Sequence, residues 1–161
     1  MGYLKKLKVK YLDNYSGPKG IEIPRVGDIG IDIYSAADYK TYPGNSILVD
    51  TGIAFEIPNE YWIQILDRSS MSESFHVMAG VIDPSYRGEI KVRMFCHTDK
   101  DLWKGFSIGY PEYKGTVDIK AGDKIAQMVI RKNYNNSFVV EDLKELGDTD
   151  RGSGGFGSTG K

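Results

Sequence analysis

The sequence predicts an all-β fold: a jelly-roll-like sandwich or barrel of short antiparallel strands, followed by a flexible glycine-rich C-terminal arm. Three observations support it. Apolar and polar residues alternate with a period of two along most of the chain, turn residues separate the alternating runs, and no window of helical length shows a 3.6-residue period. Six of the 19 glycines fall in the last fifteen residues, which distinguishes the tail from the preceding domain.

The predicted strands account for much of the first 140 residues. Alternating runs lie at 7–11, 31–34, 46–50, 52–57, 61–66, 90–96, 116–120, 124–131 and 137–140. Turn residues at 42–45, 57–60 and 121–123 separate them. Residues 79–90 read as a β-hairpin with Asp83 at its turn, and the only helical expectation is a turn or two capped by Ser69 and Ser70.

Length and composition exclude several classes of protein. A chain of 161 residues has room for one domain, which we place at 1–146, with the arm at 147–161. A single cysteine and two histidines leave neither an internal disulfide nor a zinc ligand set. A net charge of −1 argues against nucleic-acid or membrane-surface binding. Without a signal-peptide run or an apolar span, we expect a cytoplasmic, intracellular protein.

Two segments allow alternative interpretations. The region 97–115 is irregular and rich in aromatic residues, so it is either an extended hairpin that packs its own rings or a docking surface for a protein partner. In the tail, Gly152, Gly154 and Gly157 satisfy G-x-G-x-x-G, but the helix that this fingerprint needs is missing. The tail is therefore either a disordered end or a lid, in which Arg151 binds phosphate and Phe156 stacks on a base.

Four further segments concentrate polar residues in apolar surroundings. Asp28 and Asp32 lie four apart, on one face if extended, and Arg68 with two serines follows an apolar strand. Asp83 lies at the hairpin turn, and Gln127 interrupts an apolar strand. Taken singly, each has an ordinary structural explanation, such as a turn aspartate, a capping serine or a surface arginine.

In this order, and with this tail, the segments resemble the five motifs of the trimeric deoxyuridine triphosphatases (dUTPases). The match runs from about Asp28 to Gly160, and its most specific parts are G-V-I-D at 80–83 with Y-R-G-E-I at 86–90, and R-G-x-G-G-F-G-S-T-G at 151–160. The resemblance implies a jelly-roll subunit, a homotrimer with three active sites at subunit interfaces, and Mg²⁺-dependent cleavage of dUTP to dUMP and pyrophosphate.

The resemblance also implies roles for individual residues. Asp83 would be the general base that activates the attacking water, Tyr86 would pack under deoxyribose, and Asp32 would reach Mg²⁺ through water, with no direct protein ligand. The backbone of Gly80, Val81 and Ile82 would read the uracil edge. The remaining implied substrate contacts are Arg68, Ser69, Ser70 and Gln127 as a phosphate cradle, Lys91 beyond the hairpin, and Arg151, Phe156, Gly157 and Ser158 in the closing arm.

The sequence departs from the family pattern, and two rival functions stay open. Asp67 stands where a proline usually precedes Arg-Ser, and the 97–115 segment is longer than usual. One rival is a dUTPase-fold regulatory module that binds a protein partner through 97–115 in a nucleotide-gated manner. The other is dCTP deamination, but Arg93 occupies the position where such enzymes carry a catalytic glutamate, and they lack the phenylalanine-bearing arm.

Overall fold

The computed structural model describes residues 4–18, 20–97, 116–143 and 147–150. Eleven strands lie in these ranges: β1 Lys8–Tyr11, β2 Ile31–Tyr34, β3 Tyr39–Thr41, β4 Ser46–Asp50, β5 Ile53–Glu56, β6 Tyr61–Leu66, β7 Phe75–Met78, β8 Val81–Ile82, β9 Lys91–Cys96, β10 Val117–Ile119 and β11 Lys124–Lys132. A 3₁₀ helix spans Asn135–Ser137. Residues 98–115 and 151–161, which contain most of the predicted insert and arm, lie outside the described residues.

The strands form four antiparallel sheets around one core. The largest sheet has the order β2-β11-β6-β8, a second has the order β4-β9-β7, and β1-β5 and β10-β3 are two-stranded. Buried side chains from all four sheets belong to one hydrophobic cluster. The alternation that predicted the strands also points their apolar residues inward. In β9, for example, Val92, Met94 and Cys96 are buried, while Lys91 and Arg93 are exposed.

The structure confirms the all-β fold and most of the predicted elements. Eight predicted strands are present, and each end differs from the prediction by one residue at most. The three predicted turns are closed by backbone hydrogen bonds: Asn45 N–H to the Tyr42 carbonyl (3.1 Å), Tyr61 N–H to that of Pro58 (2.9 Å) and Asp123 N–H to that of Lys120 (3.0 Å). β3 and β7 were not predicted.

The strand predicted at 137–140 is wrong. The chain leaves the 3₁₀ helix in extended form, and Phe138, Val139 and Val140 are 75%, 95% and 90% exposed. A strand requires a partner for its backbone N–H and C=O groups. No described strand of this chain pairs with the segment, and its apolar side chains stay exposed.

Two other local predictions need correction. In 79–90 the turn forms, with Tyr86 N–H bonded to the Asp83 carbonyl at 3.1 Å, but β8 pairs with β6 rather than with the returning limb. The returning Ile90 N–H bonds instead to the Ile53 carbonyl at 2.8 Å. After β6 the chain makes successive turns over 69–74 rather than a serine-capped helix. The Arg68 carbonyl accepts the amides of Met71 and Ser72 (2.9 Å each), and Ser70 Oγ accepts from Arg68 Nη1 rather than from a backbone amide.

Candidate active site

A cluster of three charged side chains lies at the end of β6. The Asp32 carboxylate, on β2, accepts a hydrogen bond from Arg68 Nε at 2.8 Å and one from Lys124 Nζ at 2.7 Å. Arg68 Nη1 donates to Ser70 Oγ at 2.8 Å. The strand order β2-β11-β6 brings the three together, because Asp32, Lys124 and Arg68 lie on or directly after neighbouring strands. Two cations share one carboxylate, so the cluster carries a net charge of +1.

The two cations also determine the protonation of Asp32. Partial burial acts to raise the pKa of this carboxyl, but the hydrogen bonds and charges of Lys124 and Arg68 outweigh burial and hold the pKa below its usual range. The same hydrogen bond from Lys124 to Asp32 raises the pKa of the lysine. The pair is therefore ionised at neutral pH, and the guanidinium is held at a fixed position beside an open cavity.

Gln127 connects this cluster to the backbone on either side. It lies opposite both Asp32 and Leu66 in the β-ladders, and its Nε2 donates to the Asp67 carbonyl at 2.8 Å. On the other side, a Cβ at Gly30 would fall 2.0 Å from Gln127 Oε1. A side chain at residue 30 would therefore displace the Gln127 amide from this position.

A cavity of about 560 Å³ opens over the cluster. It is lined by Gly27, Asp28, Ile29, Gly30, Asp32, Arg68, Ser69 and Gln127. An adjoining cavity of about 300 Å³ shares Asp28, Gly30 and Asp32 and adds Lys124 and Arg25. The volume of the larger cavity is in the range of small-molecule sites, and its donors on Arg68, Ser69 and Gln127 suit an anion such as phosphate.

The segment that carries Asp83 begins with a close approach of two backbones. The Gly80 carbonyl accepts a 2.7 Å hydrogen bond from Ile65 N–H, and a Cβ at residue 80 would lie only 2.2 Å from the Ile65 carbonyl oxygen. Ala79, just before it, has φ of +55°, a left-handed conformation that is uncommon outside glycine. Glycine at position 80 is therefore required for β8 to reach β6.

Beyond β8, side chains and backbone hold the turn in place. Asp83 is exposed, and Arg87 Nη1 bonds to the carbonyls of Pro84 (2.6 Å) and Tyr86 (3.0 Å). The Tyr86 hydroxyl donates to the Glu89 carbonyl at 3.0 Å, and its ring covers Gly88, where a Cβ would lie 2.4 Å from the hydroxyl oxygen. The carboxylate therefore stands on a supported turn.

The Asp83 turn and the Asp32–Arg68–Lys124 cluster lie at opposite ends of β6. Ile63 pairs with Ile82, so Asp83 is level with Trp62, whereas Arg68 follows the other end of the strand at Leu66. At 3.3 Å per residue, the four steps from Trp62 to Leu66 alone span about 13 Å. A general base acts at about 3 Å from the proton it takes, or through one water. Within one chain, Asp83 and this cluster therefore lie too far apart to contact the same atom of a ligand.

The structure thus brings together Asp32, Arg68, Ser69, Ser70 and Gln127 and keeps Gly80, Val81, Ile82, Asp83 and Tyr86 as a second group. Lys91 lies in neither group: its ammonium bonds to Asp50 at 2.6 Å and lies 3.5 Å from Glu89. Sequence reasoning did not assign Lys124 to the site, although it stands three residues before Gln127. Arg151, Phe156, Gly157 and Ser158 lie outside the described residues.

An all-β domain with a cationic cluster at a strand end is suited to binding phosphate, and comparison with known proteins identifies its family. The family model for dUTPase matches residues 20–103 and 109–160. The deoxyuridine 5'-triphosphate nucleotidohydrolase of Candida albicans is 38% identical over 150 residues, which cover 89% of this chain and 84% of that protein. The one from Clostridium acetobutylicum is 34% identical over 158 residues, 96% of each chain. This chain belongs to the dUTPase family.

Solved structures agree with this assignment. The Staphylococcus bacteriophage 80alpha dUTPase with dUpNHpp has a TM-score of 0.76 at 27% identity and covers 97% of this chain and 99% of its own. A phage phi11 dUTPase, described with a structural Mg(II) ion, has a TM-score of 0.64 at 25% identity, covering 89% and 97%. Across the described residues, no helix is long and apolar enough to cross a membrane.

Proposed function

We propose that this chain hydrolyses dUTP to dUMP and pyrophosphate with Mg²⁺, as a homotrimer whose active sites lie between subunits. The observation that carries the proposal is the Asp32–Arg68–Lys124 cluster beside Gln127, at the mouth of a cavity in a chain of the dUTPase family. Its net positive charge and fixed donors suit the triphosphate of the nucleotide.

The cradle supplies charge and orientation rather than covalent chemistry. Arg68 is held on one side by Asp32 and on the other by Ser70, so its guanidinium loses little further freedom when it binds phosphate. Displacement at phosphorus depends mainly on positioning and on stabilising the developing negative charge. The exposed hydroxyls of Ser69 and Ser70 add neutral donors on the same loop.

Asp83 acts as the general base and takes a proton from the attacking water. It is an exposed carboxylate on a turn that Arg87 braces, so it can approach a water molecule without an internal partner. Cleavage then joins the water oxygen to the phosphorus that remains in dUMP, and the bond to the pyrophosphate oxygen breaks. The proton of the water passes to Asp83.

Uracil binds at the outer edge of β8. This two-residue strand is the last in its sheet, and no described strand pairs with its far side. The edge therefore offers backbone N–H and C=O groups at Val81 and Ile82, which suit the donors and acceptors of a pyrimidine edge. A tight fit there excludes the 5-methyl group of thymine, and Tyr86 beside it limits room for a 2'-hydroxyl.

Assembly from several copies is supported by the separation of the two groups and by the uncovered segment at 138–140. A second copy can place its Asp83 turn over the first copy's cradle, which one chain cannot do for itself. An apolar extended segment with Val139 and Val140 almost fully exposed is what a chain that packs on a neighbour would present. The arm, with Arg151, Phe156, Gly157 and Ser158, would close over the nucleotide.

The donor set around Asp32 fits a Mg²⁺ ion that is reached through water. Both carboxylate oxygens already bind cationic side chains, and the residues described contain no group of three or more carboxylate, histidine or cysteine side chains placed to hold a metal. Mg²⁺ commonly keeps several waters and binds the phosphates of its substrate. When bound, it neutralises phosphate charge as the bond to pyrophosphate breaks.

One assay tests the proposed function. The protein is incubated with dUTP, dCTP or UTP plus Mg²⁺, and pyrophosphate and ammonia are measured. Pyrophosphate from dUTP, with little from UTP, is expected. Ammonia from dCTP would instead indicate a deaminase. Arg93 already disfavours that reaction, because it stands where deaminases carry a catalytic glutamate, and it is exposed on β9 in the β4-β9-β7 sheet. No turnover of any nucleotide would contradict the proposal.

A second function, nucleotide-gated binding of a protein partner, is supported by one comparison. The phage 80alpha dUTPase that covers 97% of this chain is described as controlling transfer of virulence genes by a proto-oncogenic G protein-like mechanism. Such a role would fall to the 97–115 segment. A chain without residues 98–115 should then keep its dUTP turnover, and loss of turnover would assign that segment to catalysis instead.

A further inference from the structure

Asp67 fastens the loop that carries the phosphate-binding residues. It is the first residue after β6, and its carboxylate reaches β7 in the other large sheet: Oδ1 accepts from Val77 N–H at 2.5 Å, and Oδ2 lies 2.6 Å from His76 Nδ1. Its backbone carbonyl accepts the amide of Gln127 on β11 at 2.8 Å. One residue therefore ties three strands together, immediately before Arg68.

These bonds close the loop from 67 to 77 at its base. The loop's far limb is held from inside, because Met71 packs against the core and the Met71 carbonyl accepts Phe75 N–H at 2.8 Å. The near limb, with Ser69 and Ser70, is exposed and has no such contact with the core. Turn bonds join the near limb to the far limb, since the Arg68 carbonyl accepts the amides of Met71 and Ser72 (2.9 Å each). Asp67 and the Arg68–Asp32 pair attach the start of the near limb to the neighbouring strands.

The contact is more than a surface ion pair. The Asp67 side chain is 29% exposed, whereas the His76 ring is 68% exposed, so the bond to the histidine alone would contribute little. The bond from Val77 N–H is different, because it joins a backbone donor to a partly buried carboxylate and is charge-assisted. The anchor is thus mainly the carboxylate with Val77, and His76 supplements it.

We propose that Asp67 is the positioning residue of the phosphate cradle: it fixes the start of the 68–70 loop so that Arg68 and the serines meet the triphosphate together. Asp67 does not touch the substrate. The inference rests on the proposed function, since it assumes that the cradle binds nucleotide phosphates. It predicts that loss of the anchor weakens binding of a triphosphate much more than binding of a monophosphate, because the uracil site on β8 is separate.

The experiment compares the full-length protein with Asp67→Ala, Asp67→Asn and His76→Ala. Calorimetric titration with dUpNHpp and with dUMP gives the two affinities, and steady-state dUTP hydrolysis gives kcat and KM. Asp118→Asn is the matched control, because Asp118 is an exposed carboxylate on β10 whose contact with Lys40 is long, at 4.0 Å. Melting temperatures check that each variant folds.

We expect Asp67→Ala to lower the dUpNHpp affinity about tenfold or more, the effect of one lost charge-assisted hydrogen bond, and the dUMP affinity less than about threefold. Asp67→Asn keeps an acceptor for Val77 N–H and should recover part of the loss. His76→Ala and Asp118→Asn should stay within about threefold of the parent protein.

Two results would overturn the inference. One is an Asp67→Ala protein that binds dUpNHpp as tightly as the parent. The other is an equal loss of affinity for both nucleotides, which would make Asp67 a general structural residue. Either result leaves the proposed function standing if the parent hydrolyses dUTP. A parent protein that neither binds dUpNHpp nor hydrolyses dUTP would instead remove the proposed function itself.

Discussion

Replacing Gly80 with alanine tests whether the close approach of β8 to β6 places the catalytic turn. A Cβ at this position would lie 2.2 Å from the Ile65 carbonyl oxygen, whereas real Cβ contacts are essentially never under 3.0 Å. The two backbones must therefore move apart by at least 3.0 − 2.2 = 0.8 Å. Backbone, rather than a flexible side chain, has to move, so Val81, Ile82 and the Asp83 turn move with it.

The structure allows the size of both effects to be estimated. The shift stretches the 2.7 Å hydrogen bond from Ile65 N–H to the Gly80 carbonyl, which costs about 1 kcal/mol of stability and a few degrees of Tm. Activity should suffer far more, because a misplacement of about 1 Å at a reacting group lowers the rate by about a hundredfold. The expected variant is folded, slightly less stable and nearly inactive.

The assay measures kcat/KM for dUTP and the melting temperature of Gly80→Ala beside Gly147→Ala. Gly147 is the matched control, because nothing lies within 4 Å of a Cβ built there. The reasoning would be refuted if Gly80→Ala kept more than about a third of the parent kcat/KM, a loss under 1 kcal/mol, or if the control lost as much. A variant that fails to fold would refute the stability estimate.

Three further substitutions test other parts of the account. Asp83→Asn should abolish dUTP turnover while it leaves the dUpNHpp affinity unchanged, because it removes the base and not the binding groups; residual turnover close to that of the parent would exclude Asp83 as the base. Phe156→Trp tests the proposed stacking of this residue on uracil, which predicts a change in fluorescence when dUpNHpp is added; an unchanged spectrum would argue against a lid. Asp32→Asn should lower the free energy of unfolding at pH 7, since the low pKa of Asp32 in the folded state stabilises the fold above the carboxyl's unfolded pKa of about 3.9. That stabilisation disappears as the pH falls through the pKa of Asp32 in the folded state, so urea unfolding curves of variant and parent should converge in acid. A difference in stability that stays constant with pH would contradict the lowered pKa of Asp32.

The sequence predicts those parts of the fold that depend on local pattern. Clean alternation, as in β9, identifies a strand and its buried face. β3 has only three residues, too few to show a period, and in β7 the exposed Met78 follows the half-buried Val77, which obscures the alternation. The opposite error occurs at 137–140, where an apolar pattern is present but no strand among the described residues pairs with it.

In the candidate site, too, local pattern reveals some residues but not the partners that the fold brings to them. Arg68, Gln127 and Asp83 stand out because each is a polar residue at a strand end, in a turn or within an apolar run. The partners of these residues do not stand out. Lys124 reaches Asp32, and Asp67 reaches His76 and Val77, only because β2, β6, β7 and β11 are arranged in a particular order. Nor does sequence show that Asp83 and the cradle are separated by the length of β6, which follows from the register of β8.

The central claim, that one catalytic site is built from two copies of the chain, is tested most directly by mixing two inactive variants. Asp83→Asn and Arg68→Ala each lack one half of the site. If the halves come from different subunits, a site with both intact residues forms wherever an Arg68→Ala chain supplies Asp83 and an Asp83→Asn chain supplies Arg68. In an equal mixture that assembles at random, each of the two chains at a site is the required variant in half of the cases. Co-refolding should then restore about a quarter of the parent dUTP turnover. A mixture that stays as inactive as either variant alone would contradict the account.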